Sequence, residues 1–287
     1  MSSLEIRPLS GALGAEVFGA DLSHGALSRG LADGVMGQVQ EALLAYGVVA
    51  VRDQKLDATA QIEFGRRLGE LDVHPIANGM DEHPEMIRVR KPAGESAFFG
   101  TGWHSDNSFF QEPSAITVLY AETVPPTGGD TLFASMERAY DALSPSLQAF
   151  LAPLRAVHSA SDAYDPRTTG DAKYRGETAI SYTYSDAIYD EVEHPVVRTH
   201  PETGRKSLYV NPMFTQRVVG LHGNESRALL DMLYEHATRP DFTCRVRWQP
   251  GTLTLWDNRC VQHYALDDYA EFERVMYRVT VKGTRPV

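Results

Sequence analysis

Three short stretches of this chain set metal-binding or anion-binding side chains at spacings that chemistry could use. The first is Gly102-Trp103-His104-Ser105-Asp106. On an extended strand, residues two apart point the same way and lie roughly 6.5–7 Å apart. His104 and Asp106 can therefore face one ion, with Gly102 leaving room beside them. Alone, a His-x-Asp pair is weak evidence: it occurs by chance in many chains, as a strand-end histidine bonded to solvent beside a surface aspartate. The second stretch runs from Trp256 to His263. Its apolar strand, TLTLW, leads into a polar turn that delivers another histidine. Two imidazoles and a carboxylate cover one face of an octahedron and leave three positions open. That arrangement suits non-haem Fe(II) oxygen chemistry, and zinc hydrolysis on the same ligands stays open.

The third stretch is RVMYRVTV, beginning at Arg274. Period-2 geometry puts Arg274, Met276, Arg278 and Thr280 on one face, and Val275, Tyr277, Val279 and Val281 on the other. Two arginines on a buried face need anionic partners. An exposed edge strand with surface ion pairs would also account for them. Taken with three metal ligands, inward arginines point to carboxylate ligands, which a guanidinium grips through two parallel hydrogen bonds.

These groups must be positioned by the surrounding elements. Leu27 to Tyr46 has the apolar spacing of a helix capped by Ser28, and Gly47 stops it. A buried strand over 48–54 follows, then a helix from Asp57, its N-cap, to Leu68. MIRVR (86–90) alternates as a strand. Beyond residue 100, short strands are expected at 115–123, 130–135, 155–160, 194–200, 206–210, 244–249, 252–257 and 274–283. Helices are expected at about 145–151 and at 225–237, the latter capped by Asn224. Many short strands with few helices predict an antiparallel barrel or jelly roll with helical decoration. No break in composition divides the chain, so residues 1–287 read as one domain.

The chain has 287 residues and a formal charge of −11, with 43% hydrophobic and 23% charged residues. That is globular composition. The negative charge and dispersed basic residues argue against a nucleic-acid partner, which would call for a basic stripe. Two cysteines, Cys244 and Cys260, make no disulfide framework. The start shows no signal-peptide pattern, and no run of about 18 apolar residues predicts a membrane span. A cytoplasmic protein is expected.

The same residues carry a family resemblance. PLSGALGAEVFGADL (8–22), Val73-His74-Pro75, WHSDNSF (103–109), GGDTLFAS (128–135), WDNRCVQHYALDDY (256–269) and RVMYR (274–278) resemble the taurine and 2,4-dichlorophenoxyacetate dioxygenase family. The stretch from Leu233 to Trp248 is similar to the aryloxyalkanoate dioxygenases within it. The resemblance implies a mainly β fold with helices, a double-stranded β-helix. It implies an Fe(II)- and 2-oxoglutarate-dependent dioxygenase that uses O2 and yields succinate and CO2. The substrate would be a small organic anion hydroxylated at carbon: an aryloxyalkanoate, a sulfonate or a sulfate ester. Taurine itself is the alternative substrate. A zinc hydrolase on the same three ligands is the remote one, since it leaves both arginines unexplained. By the resemblance, His104, Asp106 and His263 are the catalytic metal ligands. Thr131 and Arg274 hold the distal carboxylate of 2-oxoglutarate. Arg278 holds the substrate's anionic head, with His74 lining the same pocket. Trp256 and Asp257 support the site, and a dimer or tetramer is expected.

Two positions depart from the taurine-selective pattern. A tyrosine is replaced by Ala77 and an asparagine by Gly100. Both changes remove polar contacts to a small aminosulfonate. With Ile76, Phe98, Phe99 and Phe110 apolar, a larger and more hydrophobic anion is expected. Residues 160–190, with Tyr182, Tyr184, Asp186 and Tyr189, are a candidate lid, and a surface loop is the equal alternative. Gly128-Gly129 reads as a turn ahead of Thr131, and His200 as structural.

Overall fold

A computed structural model describes residues 4–27, 33–95, 100–169 and 180–287. Early strands are β1 (Glu5–Pro8), β2 (Ala15–Phe18), β3 (Val48–Val51), β4 (Met86–Lys91), β5 (Ile116–Thr123), β6 (Thr131–Ser135) and β7 (Arg155–His158). Later come β8 (Val192–Pro195), β9 (Val197–Thr199), β10 (Lys206–Leu208), β11 (Thr215–Val218), β12 (Thr243–Val246), β13 (Leu253–Asp257), β14 (Val261–Ala265) and β15 (Arg274–Val281). The helices are α1 (His24–Leu27), α2 (Asp33–Tyr46), α3 (Ala58–Leu68), α4 (Met136–Asp141), α5 (Pro145–Leu151), α6 (Ser161–Tyr164), α7 (Pro166–Thr169) and α8 (Gly223–Ala237).

Seven strands form the main sheet in the order β1-β2-β3-β13-β5-β15-β4. Smaller sheets are β12-β6-β14, β11-β7-β8 and β10-β9. Strand alternation divides the core. Val49 and Val51 of β3, Leu253 and Leu255 of β13, and Val279 and Val281 of β15 pack against α2 and α3. Their neighbours Val48, Ala50 and Trp256 turn the other way, onto Phe133, Cys244, Val246 and Val261 of the β12-β6-β14 sheet. The far face of that sheet is closed by α4 and α8. The molecule is layered helix, sheet, sheet, helix, with the functional residues on the inner faces. Each fully buried aliphatic side chain contributes roughly 1.5–3 kcal/mol, so this patterning fixes the register.

Several expected elements form at their expected places. Asp57 caps α3, its Oδ1 accepting from Ala60 N at 2.7 Å. Of the helix expected over Leu27 to Tyr46, α1 carries Leu27 and α2 carries Asp33–Tyr46, and residues 28–32 lie outside the described residues. Ser28, its expected cap, lies outside the described residues, as do Phe98 and Phe99. The cap of α8 is His222 rather than Asn224, because the Glu225 carboxylate accepts the His222 N–H at 2.9 Å and starts the helix earlier. The strand β15 is buried on both faces, since α3 covers the side that carries Val279 and Val281.

Candidate metal and anion site

His104 and His263 meet as an isolated antiparallel bridge between the two strand systems. Each backbone N–H donates to the other's carbonyl, at 3.1 and 2.8 Å. The segment after His104 is not the extended strand expected from its spacing. Asn107 takes a left-handed φ of 57°, and Phe110 N donates back to Asn107 O at 2.9 Å, closing a turn. Asn107 suits that conformation and anchors it. Its Nδ2 donates to Ser114 Oγ at 2.9 Å, and its Oδ1 faces His74 Nε2 at 3.0 Å. Asp106 still points to the same side as His104.

The result is a face of three donors. One ligand atom from each of His104, Asp106 and His263 lies within 4.8 Å of the others, and all three residues are buried. Asp106 Oδ1 is 3.7 Å from His104 Nε2 and 3.9 Å from His263 Nε2. His104 Nδ1 lies 2.7 Å from Gly102 O, so it carries the proton and leaves Nε2 as a lone pair facing the carboxylate. Burial holds both imidazoles below their ordinary range, with His263 pushed down to about 3; the His104 ring and the Arg278 guanidinium add to the effect on His263. Burial alone would raise Asp106. Arg278, both histidines and the Thr117 hydroxyl overcome it and hold the carboxyl well below the usual range. Two neutral nitrogens and one carboxylate oxygen, desolvated and converging, are the donor set an Fe(II) ion requires.

Asp106 is gripped from behind by residues that motif reading did not find. Thr117 Oγ1 donates to Asp106 Oδ2 at 2.6 Å, and Asn258 Nδ2 donates to Thr117 Oγ1 at 2.9 Å. Asn258 Oδ1 accepts from Asp106 N and from Trp256 Nε1, each at 3.1 Å. Their only available signal was position: β13 pairs with β5 so that Trp256 faces Thr117. Trp256 also packs on the His263 ring at 4.7 Å between centroids. Asp257 turns away from the site. It binds Arg259 Nε at 2.8 Å, Arg259 Nη2 at 2.7 Å and His200 Nε2 at 3.0 Å. His200, Asp257 and Cys260 also come within 4.8 Å. There, however, the carboxylate is already saturated by Arg259, and burial pushes the Cys260 thiol far up.

Both arginines face inward. Arg278 Nη2 is 3.1 Å from Asp106 Oδ1. Arg274 lies four residues away, buried, with its Cζ 5.6 Å from the Trp248 ring and 5.8 Å from the Tyr269 ring. Its Nε has no hydrogen-bond partner, and no carboxylate ion pair reaches it among the described residues. Trp248 Nε1 donates to Thr131 Oγ1 at 3.0 Å, so Thr131, Trp248 and Arg274 share one pocket. The turn ahead of Thr131 needs glycine. Gly128 and Gly129 have φ of 81° and 68°, and a Cβ on Gly128 would sit 2.7 Å from Asp268 O.

His74 stands beside Arg278 but spends both ring nitrogens within the protein. Nδ1 accepts from Ile76 N at 3.1 Å and Ala77 N at 2.8 Å, while Nε2 binds Asn107. Burial and Arg278 push it down to about 4, so it is neutral. An apolar wall of Ile76, Ala77, Phe109, Tyr164, Tyr182 and Phe214 adjoins these residues. The Phe214 ring meets His104 edge-on at 6.0 Å. Tyr182 bridges Ala77, bringing the described end of the candidate lid next to the His74 loop; residues 170–179 lie outside the described part. Gly100 has φ of 76°, and a Cβ there would lie 3.6 Å from His104 Cε1.

A jelly-roll-type assembly of sheets enclosing a His, Asp, His face beside inward arginines defines the class of non-haem iron oxygenases that use a keto-acid cosubstrate. Residues 5–280 match the family model described as taurine catabolism dioxygenase TauD, TfdA family. The chain belongs to that family: it is an Fe(II)- and 2-oxoglutarate-dependent dioxygenase with a jelly-roll fold. It is similar to an alkylsulfatase of Acinetobacter baylyi, 36% identical over 98% of this chain and 85% of the relative. It is similar to an alpha-ketoglutarate-dependent sulfate ester dioxygenase of Pseudomonas putida, 33% identical over 99% of this chain and 91% of the relative. A crystal structure of a taurine dioxygenase from Burkholderia xenovorans superposes with a TM-score of 0.81 at 36% identity, covering 100% of this chain and 93% of that one. No helix among the described residues is long and apolar enough to cross a membrane.

Proposed function

We propose that this chain hydroxylates a hydrophobic organic anion, foremost an alkyl sulfate ester, at the carbon bearing the leaving group. The observation that carries the reading is the three-donor face of His104, Asp106 and His263 lying against two inward arginines, one ion-paired to Asp106 and one without a carboxylate. His104 Nε2, Asp106 Oδ1 and His263 Nε2 would hold Fe(II). Arg274 would take the distal carboxylate of 2-oxoglutarate, with the Thr131 hydroxyl beside it. Once bound, iron, 2-oxoglutarate and O2 supply the oxidising power, 2-oxoglutarate leaving as succinate and CO2. The protein's own work is to orient and to exclude water. Arg278 would anchor the sulfate head, so the oxidised carbon is set by its distance from that anchor. His74, neutral and fixed by Asn107, would shape the head's pocket rather than neutralise it. The wall of Ile76, Phe110 and Phe214 would bury the tail, and Ala77 and Gly100 remove polar contacts that a taurine amine would use. Hydroxylation next to the sulfate oxygen gives a product that collapses to an aldehyde and sulfate. The relatives named for sulfate esters support this choice. We also read the chain as one catalytic domain over residues 1–287, acting in the cytoplasm as a dimer or tetramer, without nucleic-acid or membrane partners.

The test is a panel of alkyl sulfates, alkylsulfonates, aryloxyalkanoates and taurine with purified protein, Fe(II) and 2-oxoglutarate. Succinate release coupled to aldehyde formation is expected to be strongest for medium-chain alkyl sulfates. Stronger coupling with taurine or an aryloxyalkanoate would overturn the substrate choice. Sulfate release without O2 or 2-oxoglutarate would overturn the reaction.

A further inference from the structure

Five arginines among the described residues are buried: Arg52, Arg198, Arg259, Arg274 and Arg278. An isolated buried charge is expensive, so each needs an anionic partner. Arg52 has Glu16, Arg259 has Asp257 and Glu202, and Arg278 has Asp106. Arg274 has the pocket ascribed to the cosubstrate. Arg198, on β9, is 1% exposed, and no carboxylate ion pair reaches it among the described residues. Its Nε and Nη1 have no acceptor.

Its surroundings are short of partners in the same way. The guanidinium lies 4.9 Å from the centre of the Tyr209 ring. The Tyr209 hydroxyl is buried without a hydrogen bond, and so is His194 Nδ1. The His194 and Tyr209 rings are 5.7 Å apart, and His158 stands 5.3 Å from His194. Burial keeps both histidines neutral, His158 down to about 3 and His194 to about 4, with Arg198 adding to the effect on His194. Three unpartnered buried donors, Arg198 Nε and Nη1 and Tyr209 Oη, thus share one cluster, whose formal charge is the single positive charge of Arg198; His194 Nδ1 beside them is a lone pair, since Nε2 carries the proton.

We propose that Arg198 and Tyr209 form a second anion site that takes a small monovalent inorganic anion of the halide class. The Nε–H and Nη1–H of Arg198 and the O–H of Tyr209 are its donors. The site has a structural address. His158 Nδ1 contacts Ser108 Oγ at 3.1 Å, and His194 Nε2 donates to Phe110 O at 2.9 Å. Both contacts hold the turn that follows Asp106. An anion here stabilises the backbone carrying a metal-site residue without touching the metal site.

The enzyme loaded with Mn(II) and 2-oxoglutarate is melted in gluconate, with chloride or bromide exchanged in at constant ionic strength. A saturable rise in Tm of about 2–4 °C is expected. Arg198→Met should abolish the rise, whereas Arg274→Met should keep it. Loss of the rise in Arg274→Met would assign the effect to the cosubstrate pocket and overturn the proposal, as would a full rise in Arg198→Met. Crystals of the unaltered loaded enzyme in saturating bromide are expected to show an anomalous peak in contact with Arg198 Nε and Nη1 and Tyr209 Oη. That map decides the matter even if the variants fail to fold, and an empty map at those atoms sinks the proposal.

Discussion

Replacing Thr117 with valine removes the hydroxyl that holds the proposed metal-binding carboxylate. Valine matches the shape of threonine, so the buried strand β5 keeps its packing and only the hydroxyl is lost. That hydroxyl donates to Asp106 Oδ2 at 2.6 Å, inside a site where Asp106 is 3% exposed and Thr117 is fully buried. A hydrogen bond to a charged group is worth roughly 1.5–3 kcal/mol. Its loss also strands Asn258 Nδ2, which now donates to the same oxygen at 2.9 Å. With Oδ2 released, the carboxylate can rotate and present both oxygens. At 1.4 kcal/mol per decade, Fe(II) affinity should weaken about 10- to 100-fold. Anaerobic calorimetric titration of Fe(II) into the metal-free variant measures the change, with a urea melt to establish that the variant is folded. Thr117→Ser should restore most of the affinity. A folded Thr117→Val protein whose Kd stays within about twofold of the parent would refute the reasoning.

Arg278→Ala should raise the substrate KM about 100-fold or more, because a charge-assisted anchor is lost from a dry site; unchanged substrate saturation would remove Arg278 from that role. Arg274→Met should raise the 2-oxoglutarate KM while Fe(II) affinity stays near the parent value, measured by succinate release and calorimetry. Gly128→Ala should cost about 1–3 kcal/mol of stability, read from urea unfolding, since it combines a left-handed φ with a Cβ aimed at Asp268 O. Acid should destabilise the metal-free protein early. His74, His158 and His263 are held down to about 4, 3 and 3 in the fold, against about 6.5 when unfolded. The unfolded chain therefore binds more protons below pH 6.5, and their stability contribution, complete above that pH, is lost as pH falls towards 4 and 3. A urea midpoint that stays constant from pH 7 to pH 4.5 would contradict those neutral imidazoles.

The convergence of His104, Asp106 and His263 was legible because the first two fall in one short motif and His263 follows a strand whose apolar run is plain. The inward face of β15 was legible from its period of two. Thr117 and Asn258 were not, because their roles depend on the register of β13 against β5, a pairing between distant segments that local pattern does not fix. Asp257 misled for the same reason. Its neighbour Trp256 packs on His263, and alternation along the strand turns Asp257 to Arg259 and His200 on the opposite side. The turn at Asn107 escaped a strand-based reading because its left-handed backbone is paid for by two side-chain hydrogen bonds, to Ser114 and His74. The Arg198 cluster left no motif, since its members come from β7, β8, β9 and the residue after β10, and only burial distinguishes them.

The mutual clasp of His104 and His263 has a consequence for how the protein comes into being. A chain leaving the ribosome exposes the first imidazole and the aspartate long before the last histidine is synthesised. Until that residue arrives and the two backbones lock, the three donors cannot stand on one face. A ferrous ion held by all three would therefore have to wait for a finished fold.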